Sequence, residues 1–414
     1  LTHVYTVHPL TRPHVSIFQE EESGFPSGLA SPQTETLIRR ALKRAGRSNF
    51  SDLSFVQPLN QLLRAYAEEA DLSFFGRYAT LCDLDRCLAN LLRLEVAEEE
   101  NPSILSRPIR KPVFITGMPR SATSFLHKLL SLDPANIVPR MWQLLYPYPP
   151  RSRLLPDLRK PRVALQLRLF QCLAPGLSRL HRLSTDEPQE CTDITAQIFQ
   201  SLRFENTHRI PSYQDWIDRH GHHDAFLFHR RFLQHLDAQT PGRRWMLKSP
   251  DHVFCLDAIR AAYPDAVIVF LHRDPLSVVS SCARLAEALR RPFTNHLDPG
   301  EVGQQVSERL VQAADHMMEA AGRIPRILHL HYGQVVAQPI AAIRRLYRHC
   351  GFELGRSAEQ RMAAFLARPR RRPARTQDFA RFGLDAGALR ERFARYVQHF
   401  AVAEEGAGST PPGA

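Results

Sequence analysis

No uninterrupted apolar run in these 414 residues is long enough to span a bilayer, and residues 1–30 lack the apolar stretch of a secretory leader. Leu1 is not an initiator Met, so the start is expected to be trimmed or misassigned. Cysteine is scarce: seven residues, an odd number at scattered positions, make no disulfide framework in a chain of this size, and a reducing cytoplasm is the expected compartment. Cys82 and Cys87 are expected as buried small hydrophobes on a helical face. His220-Gly221-His222-His223-Asp224 and His229 lack a Cys or carboxylate ladder at ligand spacing, so no metal site is expected. Acidic residues are also in deficit, 42 against 54 Lys and Arg, for a net charge of +12. The bases are not gathered in one stripe with interleaved aromatics, which argues against nucleic acid and suits a cleft for a small, multiply charged anion. Their one local cluster is Arg368-Pro369-Arg370-Arg371-Arg372-Pro373-Ala374-Arg375, too rich in Pro for a helix and open to reading as a solvated loop.

The most informative stretch present is Pro112-Val113-Phe114-Ile115-Thr116-Gly117-Met118-Pro119-Arg120-Ser121-Ala122-Thr123-Ser124-Phe125-Leu126. It reads as a buried strand running through a turn into an apolar helix. The first N–H groups of a helix have no intrahelical partner and carry partial positive charge, so such a turn binds phosphate-like anions. Arg120, Thr123 and Ser124 add donors. A nucleotide-hydrolysing P-loop needs a second Gly and then Lys where this chain has Ala122 and Thr123, which weakens a kinase reading without removing it. A second unit, Trp245-Met246-Leu247-Lys248-Ser249-Pro250-Asp251-His252 through Ala266-Val267-Ile268-Val269-Phe270-Leu271-His272-Arg273, reads as strand, helix, strand. Arg273 and Ser281 stand eight residues apart.

The two motifs, in this order and setting, resemble sulfotransferases that use 3'-phosphoadenosine 5'-phosphosulfate, in the bacterial-type family related to the tyrosylprotein enzymes. The resemblance extends from about Ser48 to about Phe400 and takes in Pro188-Gln189-Glu190-Cys191, Pro211-Ser212-Tyr213 and Gly383-Leu384-Asp385. The usual first motif is P-[KR]-S-G-T-[TS], from which only Ala122 departs. The resemblance implies that Arg120, Ser121, Ala122, Thr123 and Ser124 cradle the 5'-phosphosulfate and that Arg273 and Ser281 hold the 3'-phosphate. It also implies that Phe125 and Tyr332 lie by the adenine, although Phe125 reads equally well as core. Arg120 and Lys248 are then the cations at the transferring group. The late basic cluster is open to a second reading, a lid over the nucleotide. Where relatives keep Trp-Glu this chain has Trp142-Gln143, and an amide is no general base. His181 and Glu190 match family positions and are the remaining candidates. The donor is an already activated mixed anhydride, so transfer needs no metal. A family member with weak or lost catalysis is the alternative kept open by Gln143 and Ala122.

Apolar stretches at 112–117, 244–249, 266–271 and 326–331 alternate with helical patterns, which predicts an α/β fold with a P-loop-like, mainly parallel sheet flanked by helices. The expected organisation is an irregular arm over 1–33, a helical region over 34–108, the α/β domain over 109–403 with an acceptor-site insertion at about 140–240, and a flexible tail over 404–414. Gly351 is expected to end a helix over 340–350. The acceptor itself, a small molecule or a peptide, is not legible, and neither is the oligomeric state.

Overall fold

The computed structural model describes residues 30–149, 156–173, 184–368 and 377–405. Five parallel strands form one sheet: β1 Val113–Gly117, β2 Asn136–Ile137, β3 Arg244–Lys248, β4 Val267–His272 and β5 Leu328–His331, in the order β2-β3-β1-β4-β5. The four expected strands are present, and β2 is an addition too short to leave a periodic signal. Each central strand is buried on both faces, so its side chains divide by parity. Val113 and Ile115, with Met246, Val269 and Leu271, face the helices Thr123–Leu130 and Pro339–Cys350. Phe114, Leu247, Ile268 and Phe270 belong to the larger core on the other face, which the N-terminal helices also enter.

Those helices are Pro32–Ala45, Val56–Glu68 and Phe74–Glu100. The arm expected over 1–33 lies outside the described residues up to position 29. Its end is already helical, because Ser31 caps the first helix by accepting from the Thr34 N–H. The long third helix docks on the segment following residue 190: Asn90 donates to Gln197 Oε1 at 3.0 Å, and Asp83 binds both Arg86 and Arg203. One expectation fails here. Cys87 is buried but Cys82 is exposed, since five residues along a helix is more than a third of a turn away from the same face. Gly351, at φ 68°, ends the helix Pro339–Cys350 as expected.

The sheet order sets the site. β1 lies between β3 and β4, and the register puts Ile115 beside Lys248 and Gly117 beside Leu271, so the carboxyl ends of all three strands lie together. In open α/β sheets, ligands bind in the crevice where successive connections leave to opposite sides, which is the end of β1.

Candidate active site

The turn after β1 is held by its own backbone. Gly117 is at φ 120°, and a Cβ there would lie 2.3 Å from the Leu271 carbonyl oxygen, so this strand end accepts only glycine. Arg120 and Ala122 both adopt the left-handed conformation, at φ 60° and 71°. Ser121 is fully buried and donates to the Met118 carbonyl oxygen, closing the turn. The helix Thr123–Leu130 then begins without any side-chain cap, which leaves its first N–H groups facing the crevice. The glycine usual at position 122 has its reason in that positive φ.

Two groups of side chains stand at this turn. The first contains Lys248, the last residue of β3, almost wholly buried. Its Nζ donates to Ser124 Oγ at 3.0 Å and ion-pairs with Glu190. Glu190 is brought there by the backbone, because the Cys191 N–H donates to the Lys248 carbonyl oxygen at 3.0 Å. Beneath the pair, His127 on the 123–130 helix donates from Nε2 to the Met246 carbonyl oxygen at 2.9 Å, and burial with the charge of Lys248 lowers its pKa to about 3. Asp251, three residues past Lys248, has its carboxyl pushed up to about 7 by burial and by the charge of Glu190. It lines a cavity of about 20 Å³ with Thr192, Gln200 and His252, room for one water. Nothing in the sequence pattern singled out Asp251 beyond its place in the second motif; its perturbation comes from burial, which only the fold reveals.

The second group is built on Arg273, directly after β4. Its guanidinium forks onto Glu405 at 2.7 and 2.9 Å, donates to the Arg120 carbonyl oxygen, and lies 3.9 Å from the centre of the Tyr332 ring. Arg120 in turn donates from Nε to Ser281 Oγ at 3.1 Å. Burial, with Arg273 and Arg284 nearby, holds the Arg120 guanidinium below its ordinary pKa. Arg120, Arg273, Ser281 and Tyr332 are thus one contact network, and Lys248, Ser124 and Glu190 are another on the same turn. Phe125 packs partly against the core on the 123–130 helix side.

Other candidates lie elsewhere. Gln143 is buried, and its Oε1 accepts from the Arg140 N–H as part of its own helix cap. His181 and residues 369–375 of the basic cluster lie outside the described residues. His229 is buried against Tyr263, their ring nitrogen and hydroxyl 2.7 Å apart, and His220 stacks on Trp216. Among the described residues no group of three or more His, Cys, Asp or Glu is placed to hold a metal ion, and no helix is long and apolar enough to cross a membrane.

A model of the sulfotransferase family matches residues 112–356, more than half of the chain and both motifs. The chain belongs to the sulfotransferase family. It is similar to the omega-hydroxy-beta-dihydromenaquinone-9 sulfotransferase Stf3 of Mycobacterium bovis, with 25% identity over 284 residues covering 66% of this chain and 70% of the relative. Two crystal structures share the fold over most of its length. Sulfotransferase STF1 from Mycobacterium tuberculosis H37Rv is 28% identical with a TM-score of 0.77, covering 89% of this chain and 100% of its own. Sulfotransferase STF9 from Mycobacterium avium is 26% identical with a TM-score of 0.78, covering 92% and 99%. This sulfotransferase is therefore an enzyme of sulfuryl transfer on a parallel α/β sheet.

Proposed function

We propose that this sulfotransferase takes its sulfuryl group from 3'-phosphoadenosine 5'-phosphosulfate and passes it to a hydroxyl of a small-molecule acceptor. The carrying observation is the placement of Lys248 between Ser124 on the anion-binding turn and Glu190. The uncapped helix start, with Ser121 to Ser124, receives the 5'-phosphosulfate. Arg120 and Lys248 face the charge that grows on the bridging oxygen as its bond to sulfur breaks, where cationic donors are most effective. An ammonium has three donors, so Lys248 can serve Ser124, Glu190 and that oxygen together. Glu190 takes the proton of the acceptor hydroxyl as its oxygen bonds to sulfur, and adenosine 3',5'-bisphosphate leaves. The Gln143 amide, engaged in its helix cap, has no part in this step. Arg273 and Ser281 receive the 3'-phosphate, with Tyr332 and Phe125 toward the adenine. A hydroxyl acceptor is in keeping with the hydroxylated menaquinone for which the relative is named.

Titration calorimetry tests the donor: adenosine 3',5'-bisphosphate is expected to bind and ATP with magnesium to bind much more weakly, and the reverse order would remove the assignment. Transfer of labelled sulfate tests the mechanism. Glu190→Gln is expected to abolish turnover while keeping nucleotide binding. Lys248→Ala is expected to lower kcat by about 100-fold or more, the scale for one donor at a developing charge. Normal single-turnover rates in Lys248→Ala would make this lysine a structural charge only.

A further inference from the structure

The helix Arg159–Leu173 is apolar on two sides. One side is accounted for: Val163 is fully buried, and Leu167 packs with it against Met141, Tyr146 and Trp142. On the other, Leu158, Leu165, Leu169 and Leu173 are between 48% and 59% exposed. Spacings of seven, four and four residues set these leucines in one outward stripe along the helix. A similar stripe opens the helix Phe74–Glu100, where Phe74 is 75% and Tyr78 65% exposed, with Leu81 one turn further on. The Phe293 ring contacts both helices, its centre 5.6 Å from that of Phe75 and 5.8 Å from that of Phe170. Large apolar side chains exposed in this way mark a surface with a partner.

Charge identifies the partner. The helix Arg159–Leu173 contains four cations and no acid. Arg159 and Lys160 are paired with Asp157 and Asp186. Arg168 stands exposed along the leucine stripe and Arg77 stands exposed beside Phe74 and Tyr78, and among the described residues no carboxylate pairs with either, whereas the Arg162 guanidinium lies over the Tyr146 ring, 4.4 Å from its centre. Leucine and aromatic side chains bordered by unpaired arginines are the composition of a helix lying in the plane of an anionic lipid surface. We propose that this face docks on an anionic membrane, the leucines entering the boundary between headgroups and acyl chains and Arg77 and Arg168 meeting lipid phosphates.

The docking face adjoins the acceptor side of the site. Its helix packs on Met141–Leu145, whose preceding residue Arg140 bridges to Pro188, two residues before Glu190. A hydroxyl carried on a lipid-soluble body would then reach Glu190 from the membrane side. That consequence rests on the role given to Glu190 above, whereas the docking itself does not.

Sedimentation of the full chain with vesicles tests the docking without donor or turnover. The chain is expected to pellet with phosphatidylglycerol-rich vesicles and not with phosphatidylcholine alone, and to be released by salt. The triple variant Leu165→Ser, Leu169→Ser, Leu173→Ser is expected to lose binding to the anionic vesicles by about 10-fold or more, and Arg77→Gln with Arg168→Gln to weaken it and its dependence on salt. All five positions are exposed, so melting temperatures should not move. Should the leucine variant misfold, Phe74→Ser with Tyr78→Ser makes the same test. Wild-type chain left in the supernatant with anionic vesicles, or leucine variants that pellet like wild type, would overturn the proposal. So would a wild-type dimer that the leucine variant converts to monomer, which would assign the face to a second copy.

Discussion

Arg273 meets an anion within its own chain, because the Glu405 carboxylate spans two of its guanidinium nitrogens. A 3'-phosphate bound by the same edge must displace that carboxylate, so the ion pair weakens nucleotide binding by whatever it contributes. Glu405→Gln is expected to tighten adenosine 3',5'-bisphosphate binding by about 1 kcal/mol, part of a charge-assisted pair. Arg273→Ala should weaken it by roughly 2 to 4 kcal/mol and leave adenosine 5'-phosphosulfate nearly unaffected. Calorimetry on both nucleotides checks this, and equal losses for both would place Arg273 away from the 3'-phosphate. Ala122 offers a prediction of opposite character. A left-handed alanine costs roughly 1–2 kcal/mol, and the added freedom of an unfolded glycine takes back part of any gain. Ala122→Gly is therefore expected to stabilise the fold by up to about 1 kcal/mol; a lower denaturation midpoint would mean that the alanine methyl makes a contact worth more than its strain.

Among the elements, β1 has the least tolerance. Its last residue approaches the backbone of β4 so closely that Gly117→Ala must push the two central strands apart. A loss of at least about 3 kcal/mol, or failure to fold, is expected, since strain at the sheet centre has no side chain to absorb it. Soluble protein with an unchanged melting curve would contradict the close approach. The same strand explains what was legible in the sequence. β1, β3 and β4 are apolar runs because both their faces are buried, and the turn after β1 advertises itself through Gly117, Pro119 and a row of hydroxyls. Period-2 patterning has no purchase on the two residues of β2. The pairing of Lys248 with Glu190 joins residues 58 apart and that of Arg273 with Glu405 joins residues 132 apart. Both follow from how strands are ordered in the sheet, which no local spacing encodes. Motif resemblance supplied Lys248, Arg273 and Glu190 as separate residues; the fold supplied their partners. The exposure of Cys82 is illegible for a related reason, since an apolar neighbourhood in sequence does not fix the angle around a helix.

At the scale of the whole molecule, buried histidines govern how this sulfotransferase answers acid. Burial lowers His127 and His229 to about 3, His208 and His222 to about 4, and His272 to about 2. His252 is lowered well below its ordinary value for the same reason. In the unfolded chain each titrates near 6.5. Below that pH the unfolded state binds protons that the folded state refuses, so stability present above about pH 6.5 is lost as pH falls toward the folded values. Each buried histidine adds to that loss within the window, so the losses accumulate with the number of rings that titrate, against an ordinary stability of only about 5–15 kcal/mol. Asp251 has the opposite sign. Its raised pKa favours the fold at low pH and disfavours it as pH rises through about 7, so it offsets one histidine and no more. Carboxylates with lowered values, Glu98 and Glu287 among them, act in the same direction as the histidines but only below about pH 4.5. Every proton taken up also adds to a chain already at +12, and self-repulsion steepens the loss. Acid unfolding followed by circular dichroism should therefore have its midpoint between about pH 5 and 6, and His229→Gln, which keeps a hydrogen-bonding partner for Tyr263 without a titrating ring, should make it less steep. A midpoint below about pH 4 would shift the acid sensitivity from the buried rings to the paired carboxylates.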